Sequence, residues 1–489
     1  MSPVGTPPSW DNEIPMTPQK IEDYASLAVA YIDQNFRNYF SGKDCRLVIA
    51  QTSLIAANDE TIGRWPGNLV SEIFVGACAY GSLDLQPSDS DSILEVRNAL
   101  AQISNPMHLL GTMSTDDFDM LMHIFGREQL GFQDKISSQE LGRYRWLMCL
   151  LPDVEFDQLM RTKIGCDLES LIKATTYISA FFLNQPTEVP RHKIDSLLAG
   201  VGISTTTLDV LLLILSTTII HLNNDYHEKL QSTDPKTYFW ARKAPFLTKP
   251  IIGLDGENLI CPFPNLIGSA LYRFLGNKIR KDDRTRSHFT SSFAKYSELL
   301  LDDLNPDEIT YPDLETQTDK RCDFLCKFAE GEIYVESKAT RFSHDNLFPD
   351  AFVTDTSSRQ IADAVIQISS SKTGNDAKPY GIILIDDKIH LTNSEWYWSK
   401  LAECENAIPS ARDEFNGPIL IWTHRDLELA IMLCNATSRS FRSLLDEYCE
   451  EPRQQKGDWS VWLQNRFSNE PDLHISSIEW IRLAAKFGD

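Results

Sequence analysis

An aspartate, a glutamate and a lysine stand in the stretch "CDFLCKFAEGEIYVESKAT", Cys322 to Thr340, within two apolar runs that otherwise read as core strands. Asp323 opens the first run, and Glu336 and Lys338 close the second. Successive strand residues point to opposite faces, so Glu336 and Lys338 share one face. With Glu330 and Gly331 as the corner of a hairpin, Asp323 falls opposite Lys338 and all three charges occupy one patch of sheet. Two neighbouring carboxylates repel unless a cation sits between them. Their hard oxygens suit Mg²⁺, with Mn²⁺ able to substitute, and such an ion polarises a phosphoryl oxygen and lowers the pKa of a bound water. A lysine beside it stabilises charge developing on phosphate, or orients and deprotonates the water. Side chains that a strand should avoid are those that phosphodiester hydrolysis needs.

The elements that must carry this patch follow from periodicity. "FAKYSELLLDDL" is helical; "DEITYPDL", "CDFLCKF" and "EIYVESKA" read as three successive strands. "SSRQIADAVIQISSS" is a helix opened by serine caps, "YGIILIDD" and "GPILIWT" are buried-type strands, and "RDLELAIML" begins a further helix. Alternation of this kind predicts an α/β domain, a mixed sheet flanked by helices. From about Thr17 to Tyr226 the apolar residues instead recur three and four apart, which predicts a mainly α-helical N-terminal region. The expected organisation is a helical region over 1–234, a joining segment over 235–283, and the α/β domain over 284–489. "LDVLLLILSTTIIHL", Leu208 to Leu222, is too short to span a bilayer and carries Asp209, so it is expected as one buried core helix.

Asp323, followed after twelve residues by Glu336-Ser337-Lys338, resembles the PD-(D/E)XK nuclease superfamily, whose members share the restriction-endonuclease-like fold. The resemblance covers roughly Arg284 to Leu433, and the expected order of elements agrees with it: helix, three-strand meander, crossover helix, further strand. It implies a Mg²⁺-dependent endonuclease, with DNA as substrate and restriction or anti-phage defence as the setting. Asp323 and Glu336 would bind metal with help from Glu298 on the first helix, and Lys338 would act on the water or the phosphate. The literal Pro-Asp pair of the family could instead be Pro312-Asp313, but the hairpin register favours Asp323. Gln360 resembles the helix glutamine of recombination-type members, although Ala364 stands where their tyrosine would be. A homodimer and a separate ATPase or defence-system partner chain are further implications. The alternative keeps the fold and drops the chemistry: a catalytically inactive nucleic-acid-binding or assembly subunit.

Charge and composition bound these readings. Of 489 residues, 42% are hydrophobic and 24% charged, enough apolar content for a sizeable core. A net charge of −23 argues against nonspecific coating of nucleic acid. Screening over about 8 Å nevertheless lets a local basic patch act by itself. "RFLGNKIRKDDRTRSHF" supplies one, with Arg280, Lys281, Arg284 and Arg286 as candidate backbone-phosphate ligands. The ten cysteines form no CxxC pair; Cys322 and Cys326, expected on one strand face, lack a second ligand pair for zinc. Reduced thiols and an N-terminus without a signal peptide make the cytoplasm the expected compartment, with no membrane association. Asp89 and Asp91 imitate a nucleotidyltransferase pair, but helical spacing follows them and an N-cap cluster is the better reading. His424-Arg425-Asp426 imitates a kinase loop without its downstream asparagine; a strand-to-helix turn with Asp426 in the first helical turn explains it.

Overall fold

The computed structural model describes residues 138–486, apart from 186, 230–246, 255, 313–320, 341–355, 373–377, 387–394, 452–458 and 468–477. Thr17, Asp89, Asp91 and Asp313 lie outside the described residues, as does part of the expected joining segment.

The described chain opens with helices. They are α1 (Ser138–Arg145), which continues as a π-helical turn over Trp146–Leu150, α2 (Val154–Ile164) and α3 (Leu168–Asn184), then α4 (Arg191–Gly200), α5 (Thr205–Leu215) and α6 (Ile219–Lys229). Local chemistry sets several ends. Asp153, Asp167 and Ser204 each accept a backbone N–H from the first turn of α2, α3 and α5, and Gly165 ends α2 with φ at +90°. The apolar run from Leu208 to Leu222 differs from the single helix expected. Ser216–Thr218 leave the helix as a strand, β2, which pairs in parallel with β3 (Ile251–Gly253). Hydroxyl-bearing and β-branched residues interrupt the run there, and sheet pairing outweighs helix continuation. β1 (Val189–Pro190) and β4 (Asn258–Ile260) complete a small mixed sheet of order β1-β4-β3-β2.

α7 (Leu266–Arg280) and α8 (Asp283–Asp302) lead into the second sheet. Its strands are β5 (Glu308–Thr310), β6 (Phe324–Phe328), β7 (Gly331–Lys338), β8 (Tyr380–Ile385) and β9 (Ile419–Thr423), in sequential order. β5, β6 and β7 form an antiparallel meander; β7, β8 and β9 are parallel. Only β6 therefore runs against the rest. α9 (Thr356–Ser371) crosses from β7 to β8, and α10 (Glu395–Cys404) and α11 (Ile408–Phe415) link β8 to β9. α12 (His424–Thr437), α13 (Phe441–Glu450), α14 (Trp459–Arg466) and α15 (Glu479–Ala485) follow. The molecule is thus a mixed α/β protein with two mixed sheets flanked by helices. Asp426 lies in the first turn of α12, where Thr423 and Asp426 form a reciprocal capping box, as expected for that strand-to-helix turn.

The two faces of the large sheet are covered differently. Leu325, Tyr334, Ile383 and Ile421 pack with Ile361, Val365 and Ile368 of α9 and with residues of α10 and α11. Phe324, Val335, Ile382 and Trp422 join a larger core that includes Phe293 and Leu300 of α8 and Leu427 of α12. That core continues without a break into Leu147, Phe156, Leu171 and Ile178 of the helical segment. α15 seals it: a Cβ added to Gly142 of α1 would stand 2.1 Å from the carbonyl oxygen of Ile481.

Candidate active site

The hairpin turn differs from the expected one by one residue, and the register by two. Phe328 pairs with Gly331 and Phe324 with Val335, so Ala329 and Glu330 make the corner and Asp323 comes opposite Glu336, not Lys338. Gly331 adopts φ +144°, a conformation other residues avoid, and so closes the turn while Ala329 and Glu330 keep ordinary negative φ. Because side chains alternate with a period of two, a two-residue slip preserves the face. Asp323, Glu336 and Lys338 still come together, on the side of the sheet covered by α9.

Hydrogen bonds lock this group. The Asp323 N–H donates to Glu336 Oε2 at 3.0 Å, and the Ser337 N–H donates to Asp323 Oδ2 at 2.7 Å, each carboxylate extending the ladder beyond the last strand pair. The Lys338 ammonium forms an ion pair with Glu336 Oε1. It also donates to Gln367 Oε1 of α9 at 2.8 Å, while Gln367 Nε2 donates to the Arg321 carbonyl at 3.2 Å. Glu336 is 1% exposed. Burial first, and the Asp323 charge second, push its carboxyl up to about 7, against the opposing pull of Lys338. A carboxylate pair strained in this way is one a cation relieves. Asp323 and Glu336 are the two carboxylates here that could hold a divalent metal, and Mg²⁺ commonly takes only one or two carboxylates with the rest of its shell water.

The other expected site residues fall elsewhere. Glu298 lies on α8, on the opposite side of the sheet, where it accepts the Tyr311 hydroxyl and raises that phenol's pKa to about 12. Among the described residues no three His, Cys, Asp or Glu side chains converge in a group able to hold a metal, so Glu298 does not complete one with Asp323 and Glu336. Gln360 is exposed on α9, and the glutamine that reaches the lysine is Gln367, seven residues on. A separation of seven returns to the same helix stripe; only the choice between the two glutamines needed the third dimension. Cys322 and Cys326, expected on one face, belong to different cores, because Cys322 precedes the strand where alternation begins.

The basic residues gather where α7 meets α8. Lys281, Arg284 and Arg286 are exposed and Arg280 is half-buried. Asp282 caps α8 and pairs with Lys163 at 3.3 Å, and Arg286 pairs with Asp283 at 2.5 Å, so part of the positive charge is answered locally. Arg284 and Ser297, an α8 residue that touches β7 from the side opposite the Asp323–Glu336–Lys338 group, are separated along the helix by about 20 Å at ~1.5 Å per residue.

No family model, no curated protein and no solved structure matches this chain. Among the described residues no helix is long and apolar enough to cross a membrane.

Proposed function

We propose that the protein is a metal-dependent nuclease that hydrolyses phosphodiester bonds, with DNA as the substrate. One observation carries the reading: two carboxylates and a lysine gather at facing strand ends, where Glu336 accepts the Asp323 N–H and pairs with Lys338, and burial raises the Glu336 carboxyl to about 7. Asp323 and Glu336 would hold Mg²⁺ or Mn²⁺, which supplies Lewis acidity at the scissile phosphate and an acidified water. Lys338, whose ammonium pairs with Glu336 and donates to Gln367, would stabilise charge developing on the phosphate or orient the attacking water. Gln367 sets the reach of Lys338 from α9. The sequential sheet order with a single reversed strand, the helix on each face and the motif on the second and third strands support the resemblance to PD-(D/E)XK nucleases. The basic corner of Arg280, Lys281, Arg284 and Arg286 offers a backbone track.

A second reading, a nucleic-acid-binding or assembly subunit without activity, is favoured by one observation: Glu298 is tied to Tyr311 and leaves the acidic group at two members. Plasmid cleavage with Mg²⁺ and with Mn²⁺ separates the two. Metal-dependent nicking that is lost in Asp323→Ala and Lys338→Ala supports the enzyme. Equal cleavage by wild type and both variants sinks it, and binding of DNA without cleavage under any metal supports the second reading.

A further inference from the structure

Between Glu336 and Lys338 stands Ser337, whose side chain points to the other side of the sheet. It is buried, and its hydroxyl donates to Ser297 Oγ of α8 at 2.9 Å. Ser297, fully buried, donates its single proton to the Phe293 carbonyl at 3.0 Å. It also receives Ser337 and, at 2.8 Å, meets Nε2 of His424, the first residue of α12, which donates to it in the Nε2–H tautomer. The imidazole is 3% exposed, with ring centroids of Phe293 and Tyr296 at 4.1 and 4.8 Å. Burial, helped by the Arg143 charge, keeps it neutral. Three polar groups thus meet in the buried layer beside the Arg143–Glu428 ion pair, where leucine or valine would pack at lower desolvation cost.

An apolar contact leaves a strand free to slide; a saturated chain of directional hydrogen bonds fixes its height and register against the helices behind it. The residue so fixed also acts at the front. Its N–H is the donor that holds the Asp323 carboxylate. Ser337 is clamped from both sides, and the two side chains that flank it are the candidate catalytic pair.

We infer that Ser337, Ser297 and His424 form a positioning relay that holds the Asp323–Glu336–Lys338 group from behind the sheet. For catalysis this rests on the nuclease reading, but the clamp is testable without it. The test is amide hydrogen exchange, read by mass spectrometry with fragmentation to single residues, on wild type, His424→Phe, His424→Gln and Ser297→Ala. The amides of Asp323 and Ser337, whose protons sit on the two carboxylates, should exchange roughly tenfold faster in His424→Phe and Ser297→Ala, equivalent to about 1.4 kcal/mol. Amides of β8 and β9 should keep their wild-type rates. His424→Gln, which retains an N–H donor, should restore most of the protection. Rates at Asp323 and Ser337 that rise only in step with β8 and β9, or do not rise, overturn the relay; Ser297→Ala, the smallest change, decides if His424→Phe fails to fold. A parallel measurement addresses the enzyme reading separately: Mn²⁺ should raise the melting temperature of wild type and not of Asp323→Ala. If that fails while the exchange pattern holds, the relay stands as a clamp and the nuclease reading falls. Where cleavage is measurable, His424→Phe should lower kcat and leave KM unchanged.

Discussion

Replacing Glu336 with glutamine should make the protein more stable at alkaline pH, the reverse of what loss of an ion pair suggests. Glu336 has its carboxyl raised from 4.5 to about 7 in the folded state. The folded protein therefore binds a proton there more tightly than the unfolded chain, and stability falls as pH climbs from about 4.5 to about 7. At ~1.4 kcal/mol per pH unit, the ionised carboxylate costs the fold on the order of 3 kcal/mol above pH 7, as an upper bound. Glutamine keeps the neutral shape and an oxygen for the Asp323 N–H, so Glu336→Gln removes the cost. Thermal melts from about pH 4 to 8.5 in the absence of metal should show the two proteins close at the acid end. The variant should then rise a few degrees above wild type at the alkaline end. Mn²⁺ should shrink the gap by stabilising the ionised form of wild type only. Melting curves that stay parallel across the whole range would refute the argument, since they would mean that Glu336 ionises as readily folded as unfolded.

Lys338→Ala should widen that pH-dependent loss, because the ammonium is what holds the Glu336 carboxyl down; melts over the same range check it. Gln367→Leu should cut metal-dependent cleavage tenfold or more with little change in melting temperature, whereas Gln360→Leu on the same helix should leave cleavage intact. Arg143→Met strands Glu428, which otherwise receives both guanidinium hydrogen bonds and the Tyr296 hydroxyl, and should destabilise by about 3–5 kcal/mol in chemical denaturation. Joint replacement of Arg143 and Glu428 by apolar residues should cost less than Arg143→Met. Gly142→Ala, whose Cβ would strike the Ile481 carbonyl, should loosen α15 and expose the C-terminus to limited proteolysis, at about 1–3 kcal/mol.

The cofacial charges were legible because strand alternation survives a register error of two; the turn itself was misplaced because glycine works here at the strand's first residue and not inside the corner. The capping box at Thr423 and Asp426 was equally readable, being wholly local. Helical periodicity gives a helix a buried stripe but not the sheet face it covers, which is why Glu298 was assigned to a group it does not join. The same blindness hid Gln367, whose partners lie 29 and 46 residues away. β1, β3 and β4 span two or three residues each, too few for alternation to register. The Ser297–His424 contact joins residues 127 apart, and neither sequence neighbourhood announces it.

The unbroken core beneath the sheet bears on how such a protein can change over generations. Arg143 reaches across 285 positions to Glu428, Tyr296 meets both in the same buried spot, and Trp480 of the last helix hydrogen-bonds Asp303 at the end of α8. Residues 284–489 could not be lifted out and fused to another sensor, as a self-contained cassette could, without baring the far side of the helices that back the sheet and leaving Glu428 without Arg143. Helices and sheet must be inherited together, and a substitution in α1 is answerable in α12.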